Sequence, residues 1–419
     1  MTDPKSEAAE LPSRKPLTLY QMLAPGILVA ATGVGSGDLL TAALAGSTVG
    51  LVILWSAPIG ALLKWTVTEG LARWQMATGT TLLEGWIAKF GAWAQWVFLI
   101  YLLVWSLFTG AAMVNGCGVG MTAVVPIGDE SQSKIVWAIL HSLVGLALVW
   151  FGGFALFEKL MAGCIAVMFF TVIGTAILVG PDWAQAGVGI LVPRLPEHPD
   201  GMSWVMAVLG GVGGTLTILS YGYWIREQKR EGAQGVAICR RDLGVGYVMT
   251  GFFGAAMILI GSRVTISGKG DSVALALAQA LAEALGPTWG PMGKWFFLVG
   301  FWAAVFSSLL GVWQGIPYLF ADFLAIRRGL SPEKRASIDH TKTFEYRVFL
   351  VGIALVPLLL LWQSVKQIQL TYAIIGATVL PLLALSLLVM NNRRDWVGER
   401  FRSGWFVNAL LVGTLAFFG

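Results

Sequence analysis

Charge is scarce in this chain. Only 12% of its 419 residues are Asp, Glu, Lys or Arg, where a soluble domain carries roughly 25%. Hydrophobic residues make up 56% and mean hydropathy is +0.74. That balance excludes a soluble globular protein and points to an integral membrane protein in contact with a lipid bilayer. Cysteine is nearly absent too: Cys117, Cys164 and Cys239 stand far apart with no CxxC spacing, which argues against a disulfide scaffold or a zinc site. The three histidines, His141, His198 and His340, fall in separate segments and form no histidine-rich metal site. Only His141 lies in an apolar run, where a hydrogen-bonded bundle histidine is the expectation. No HExxH helix, GxSxG elbow, P-loop or pair of acids poised for hydrolysis occurs, so neither an enzyme nor an ATP-driven pump is expected and no cofactor is implied. Residues 1–16 are polar, carry Pro12 and Pro16 and lack the short apolar core of a cleavable signal. They read as a disordered cytoplasmic tail.

What is present is a succession of apolar runs. A membrane span needs about 20 mostly apolar residues, and that window finds about eleven segments, near 18–46, 50–77, 92–124, 134–152, 154–180, 202–225, 242–265, 290–325, 345–363, 367–391 and 403–419. Gly152-Gly153 reads as a tight turn between two of them. Pro181 to Asp200 reads as an external loop, and Asp271 to Leu285 as a short helix over the external mouth. The net charge of +5 sits in loops: Lys5, Arg14 and Lys15 at the start, then Arg226, Lys229, Arg230, Arg240 and Arg241, then Arg327, Arg328, Lys334, Arg335 and Lys342, then Arg393, Arg394 and Arg400. With this span count all lie on one side. The positive-inside rule then puts the N-terminus in the cytoplasm and the C-terminus outside a multi-pass cell membrane protein. Orientation explains the basic residues better than nucleic-acid binding does.

Two spans carry glycine where a helix should be continuous. Ala24 to Gly46 contains Gly33-Val34-Gly35-Ser36-Gly37-Asp38. Each glycine weakens a helix by roughly 1 kcal/mol relative to alanine, and a carboxylate at bilayer depth costs roughly 2.5–3.5 kcal/mol. Backbone freed inside the hydrocarbon is tolerated only where it is buried or lines a cavity, so this stretch reads as a broken helix around Asp38. The sixth segment repeats the device with Gly210-Gly211-Val212-Gly213-Gly214-Thr215-Leu216-Thr217-Ile218-Leu219-Ser220. Five segments followed by five, each set opening on an interrupted helix, is the signature of an inverted-repeat transporter. The repeats are expected at 17–180 and 202–391 of a single transmembrane domain, 17–419, with 403–419 as an additional helix. Close packing of small residues between helices is the alternative for each glycine run.

At these residues the chain resembles the Nramp family, the natural resistance-associated macrophage protein-like divalent-metal transporters. The family pattern G-P-G-F-L-V…D-P-G-N…A-G-S lies without a gap over Ala24-Pro25-Gly26-Ile27-Leu28-Val29…Gly35-Ser36-Gly37-Asp38…Ala45-Gly46-Ser47, and Phe306 to Gly315 looks like the family's eighth helix. The resemblance implies an all-α fold of LeuT type with about eleven spans, the first and sixth interrupted. It also implies proton-coupled transport of a divalent metal by alternating access. The family's metal-coordinating motifs are altered here, which marks a divergent branch. Gly35 stands for the aspartate, Ser36 for the proline and Asp38 for the asparagine, while Thr217-Ile218-Leu219 lie at the position of the M-P-H motif. The third segment, Ala92 to Val124, holds none of the acids of the family's proton route.

The residues that remain form a hard-ligand set. Asp38, Gly35, Ser36, Gly37, Thr215, Thr217, Ser220 and Gln314 supply a carboxylate, hydroxyls, an amide and backbone carbonyls. Oxygen without sulfur or imidazole suits magnesium or manganese better than softer ions. The second segment adds Lys64, Glu69 and Arg73, a possible ion-pair group or proton relay. Glu69 and Arg73 are spaced to pair on one helix face. Lys64 lies near mid-span, where an unpaired ammonium is costly. It pairs either with Glu69 or a neighbouring carbonyl, or with Asp38, and in the second case a small organic solute such as an amino acid becomes the better substrate. A non-transporting membrane sensor that kept the fold is the third reading.

Overall fold

Helix dominates every part of the chain seen in the computed structural model, which describes residues 19–418 except 36, 229, 231 and 266–272. The expected tail at 1–16 lies outside the described residues, and no strand forms among them. The chain runs through α1 (Leu19–Gly33), a short π-helix Gly37–Thr41, α2 (Ala42–Val49), α3 (Ser56–Thr78), α4 (Leu82–Phe90), α5 (Ala92–Val124) and α6 (Glu130–Leu178). Then follow α7 (Trp183–Leu191), α8 (Gly201–Gly211), α9 (Ser220–Glu227), α10 (Gly232–Gly261) and α11 (Val273–Arg327). The last part contains α12 (Pro332–Ser337), α13 (Phe344–Leu355), α14 (Val365–Ala377), α15 (Val379–Met390), α16 (Arg394–Val397) and α17 (Trp405–Phe418).

Helix starts are marked by side chains that accept otherwise unpaired N–H groups. Thr81 opens α4 in a reciprocal capping box with Glu84, and Asp129, Thr343 and Ser364 cap α6, α13 and α14. The turn expected at Gly152-Gly153 is a bend inside α6, where Gly153 has φ +68°. The expected external loop from Pro181 to Asp200 contains α7, because the Asp182 carboxylate accepts from the N–H groups of Ala184 and Gln185 and starts a helix there. The expected short helix near 271–285 is the first part of α11. It begins at Val273 and bends into the following span at Gly286, whose φ is +72°.

Among the described residues, seven helices are long and apolar enough to cross a membrane, and an eighth counts if Leu39–Ile53 and Ser56–Thr78, bent by 105°, are one unit. The other expected spans miss that test for visible reasons. The first is interrupted after Gly33, α3 carries Lys64, Glu69 and Arg73, and α13 and α17 have only 12 and 14 residues. Large apolar side chains point outward along the bundle, including Phe151, Phe170, Ile177, Phe252 and Trp295. This is a multi-pass membrane protein.

Small residues set the helix spacing, as expected where lipid and core are equally apolar. α1 and α10 pack at mutual glycines: a Cβ on Gly26 would stand 2.2 Å from Asp242 O, and one on Gly246 would stand 2.4 Å from Gly26 O. Gly46 and Gly261 do the same between α2 and α10, against Ile258 O and Ala43 O. These contacts press the first broken span onto α10, and Gly254 and Val212 bring the second one to the same helix.

Candidate functional site

The two helix breaks meet. α1 ends at Gly33, after which Gly35 N donates to Gly33 O (3.0 Å) and Leu39 N to Gly35 O (2.8 Å) as the chain enters the π-helix. α8 ends at Gly211, and Gly213 and Gly214 take φ +80° and +76°, the left-handed region that glycine alone enters without strain. A 3-10 turn, Leu216–Leu219, then leads into α9. A Cβ on Gly33 would lie 2.7 Å from Gly213 C and 2.9 Å from Gly214 N, so the two interrupted backbones touch.

Three further helices wall this junction. On α11, Ser308 donates its hydroxyl to Thr32 O (2.7 Å) and packs so closely on Gly35 that a Cβ there would meet its Oγ at 2.1 Å. On α5, Trp105 Nε1 donates to Thr215 Oγ1 (2.6 Å). On α14, Gly376 leaves room for the Thr215 methyl, 2.5 Å from where its Cβ would be. Thr217 stands across Gly214 in the same way. The junction therefore holds Gly35, Thr215 and Thr217 of the expected set. The backbones of Gly37 and Asp38 belong to the adjoining π-helix; the Asp38 side chain and Ser36 lie outside the described residues.

Ser220 and Gln314 sit together one step away, at the inner end of a cavity of about 630 Å³. Ser220 opens α9 and packs against Gly315 on α11. The cavity extends past Tyr223 and Tyr318 to Asp339, His340 and Lys342 in the loop before α13. Ser220 Oγ and Gln314 Oε1 find no hydrogen-bond partner among the described residues, and neither does Thr32 Oγ1. Buried polar oxygens without partners are costly; Thr32 Oγ1 and Ser220 Oγ lie against Gly311 and Gly315 of α11, and of the three residues Ser220 and Gln314 line the cavity.

Lys64 does not pair with Glu69. Its Nζ, completely buried, donates to Gly210 O (2.6 Å) and more closely still to Val212 O, the carbonyls at the end of α8. Of the partners open to it from sequence, a neighbouring carbonyl is therefore among those it takes. Glu69 pairs with Arg73 and also accepts from Arg240 Nε (2.7 Å), while Arg73 reaches Phe401 O and Arg402 O. That cluster ties α3 to α10 and to the segment before α17.

Two other buried clusters were not singled out from sequence. Arg230 donates to Asp242 Oδ2 (2.5 Å), and Tyr221 to Asp242 Oδ1 (2.8 Å). Tyr223 and Arg335 donate to Asp322, and Arg335 also pairs with Glu84. His340 stands 3.9 Å from the same Asp322, and burial holds its pKa below the usual histidine value. The signal for these clusters was an acid inside each of two long apolar helices. The partners come from loops and neighbouring helices, and nothing in local spacing names them. His141 is a satisfied bundle histidine: Trp302 Nε1 donates to its Nε2 (2.8 Å), which leaves Nδ1 to donate to Trp137 O (2.7 Å). Among the described residues no group of three or more His, Cys, Asp or Glu side chains is placed to hold a metal.

Comparison with known proteins places these features. The family model described as natural resistance-associated macrophage protein-like (Nramp) matches residues 26–419. No curated protein sequence matches. Among solved structures, a variant of the Eremococcus coleocola manganese transporter superposes with a TM-score of 0.73 at 18% identity, covering 95% of this chain and 85% of that one. MhsT in complex with L-phenylalanine gives 0.55 at 13% identity over 96% and 99% of the two chains. Mhp1, a nucleobase-cation-symport-1 family transporter in a closed conformation, gives 0.51 at 12% over 95% and 91%. The fold is the LeuT type.

Proposed function

This chain belongs to the Nramp family, and on that premise we propose that it is a secondary transporter moving a divalent metal cation across the cell membrane by alternating access. The observation that carries the reading is the contact of the two helix breaks at Gly33 and Gly213–Gly214. Paired half-helix ends inside the bundle are where carriers of this architecture hold ions. Likeness to the manganese transporter of Eremococcus coleocola supports a divalent ion as cargo.

In this proposal Asp38 supplies the principal charge. Gly35, Ser36 and Gly37 offer backbone oxygens at the first break, and Ser36 contributes a hydroxyl to the set. Thr215 and Thr217 offer hydroxyls at the second; the Thr215 oxygen accepts from Trp105 and keeps a second lone pair. Ser220 and Gln314, the unpartnered oxygens at the inner end of the cavity, meet the ion on its way in or out. An all-oxygen set favours magnesium or manganese over softer ions. The repeats 17–180 and 202–391 rock against each other, with the N-terminus in the cytoplasm and the C-terminus outside. The cavity reaches the loop residues near Lys342; with that loop on the cytoplasmic side, as the proposed orientation has it, an inward-facing conformation is part of the proposal. Proton symport is part of the proposal.

Uptake of magnesium and manganese into proteoliposomes, with internal pH recorded, tests it on wild type and Asp38→Ala. Metal flux that disappears in Asp38→Ala, accompanied by a pH change in wild type, is the expected result. Correctly folded wild type that moves neither metal overturns it. A second reading, a small organic solute such as an amino acid, draws on Lys64, whose ammonium already holds two carbonyls of the second break. Saturable solute binding without metal flux would favour that reading.

A further inference from the structure

A half-helix that stops inside a bundle leaves carbonyls with no N–H to accept from, and its C-terminal end carries roughly half a negative charge. α8 is such a helix. In an unbroken helix Gly210 O and Val212 O would accept from residues four further on, but the positive φ of Gly213 and Gly214 turns the chain away first. Both carbonyls instead accept from Lys64 Nζ, which arrives from another helix and is completely buried. The lysine is held there by its surroundings. Gly60, one turn earlier on α3, lies so close to α8 that its Cβ would be 3.2 Å from Leu209 Cα. Thr68, one turn later, bonds Tyr247 OH at 2.7 Å.

We infer that Lys64 is a resident cation: its ammonium fills a carbonyl cation site at the end of α8 and, as a specificity-determining residue, keeps small free cations off it. Backbone carbonyls can take the place of water around a monovalent cation, and here two of them accept from the Lys64 ammonium. With the ammonium seated, the carbonyls of Gly210 and Val212 are withdrawn from the substrate, which is left to the other oxygens of the junction. The consequence for specificity rests on the transport reading; the occupancy of the carbonyl site does not.

The test uses full-length protein in lipid nanodiscs. Lys64→Ala deletes a propylammonium fragment, so n-propylammonium chloride is the probe, with 1-propanol and choline chloride as controls. The unfolding midpoint of Lys64→Ala is expected to fall and then to rise saturably by about 2 °C or more with n-propylammonium. Neither control should act, and wild type should not respond. Lys64→Met keeps the aliphatic length without the charge and is expected to be stabilised by sodium over choline. If Lys64→Ala folds only when n-propylammonium is present during solubilisation, that is also the expected behaviour. Midpoints of both variants that are indifferent to which cation is present would overturn the inference. Manganese and magnesium uptake by wild type is read separately. Absence of both manganese and magnesium uptake would sink the transport reading while leaving the nanodisc result decisive for Lys64; uptake of either metal beside indifferent variants would sink only the role of Lys64.

Discussion

One methyl group tests whether the two breaks meet. In Gly33→Ala the new Cβ would lie 2.7, 2.9 and 3.0 Å from Gly213 C, Gly214 N and Gly213 O, where ordinary contact begins at 3.4 Å. All three atoms are backbone, so no rotamer change relieves the clash and the two interrupted helices must part by more than half an ångström. Overpacking of that kind costs about 1–3 kcal/mol. It is offset by up to about 1 kcal/mol from replacing glycine in the last turn of a helix, leaving a net loss that reaches about 2–3 kcal/mol at the upper end and vanishes only if the cost is least and the offset full. Gly163→Ala is the matched control, because a Cβ there meets nothing within 4 Å on α6 and only the helix-forming gain of about 0.5–1 kcal/mol remains. The same substitution should therefore carry opposite signs at the two positions in equilibrium unfolding of the purified protein. Metal uptake should fall about tenfold in Gly33→Ala and stay at the wild-type rate in Gly163→Ala. Gly33→Ala that is as stable and as active as Gly163→Ala would refute the contact between the breaks, and with it the geometry of the site.

Arg230→Met takes the guanidinium away from the buried Asp242 carboxylate, which keeps the Tyr221 hydroxyl and the Leu243 backbone but no cationic partner from that residue, and should cost about 3–5 kcal/mol. Adding Asp242→Asn should recover a large part of that loss in a double-mutant cycle, and strict additivity would contradict the pair. His340 sets a pH dependence. Burial, the largest influence, holds its folded pKa below the unfolded value of about 6.5, so the unfolded chain takes the proton first as pH falls. Its stabilising contribution is full above about pH 6.5 and is lost as pH drops from there through the folded value. His340→Gln should flatten that part of the stability–pH curve, and an unchanged slope would count against a buried neutral imidazole.

The broken spans were legible because a break is a local backbone event. Gly213 and Gly214 adopt positive φ, and the glycine runs announce this without reference to the rest of the chain. The pairing of Glu69 with Arg73 was legible for the same reason, being a matter of spacing along one helix, whereas Arg240, the third member, comes from α10. The helix α7 was missed although its signal was present in Asp182, whose carboxylate caps it; two flanking prolines drew the reading toward a loop. Lys64 shows where such reading stops. Glu69 and Asp38 were visible partners because they are side chains. The carbonyls of Gly210 and Val212 were available to it only because a break nearly 150 residues further along the chain had freed them, and a freed carbonyl has no letter of its own. The ligand set therefore cannot be read by matching motif letters alone. Once Gly35 stands where the family pattern has an acid and Lys64 sits on the second break, the charge at the site depends on which oxygens the lysine leaves to the substrate. That makes substitution of Lys64, more than of any single hydroxyl, the change expected to move selectivity.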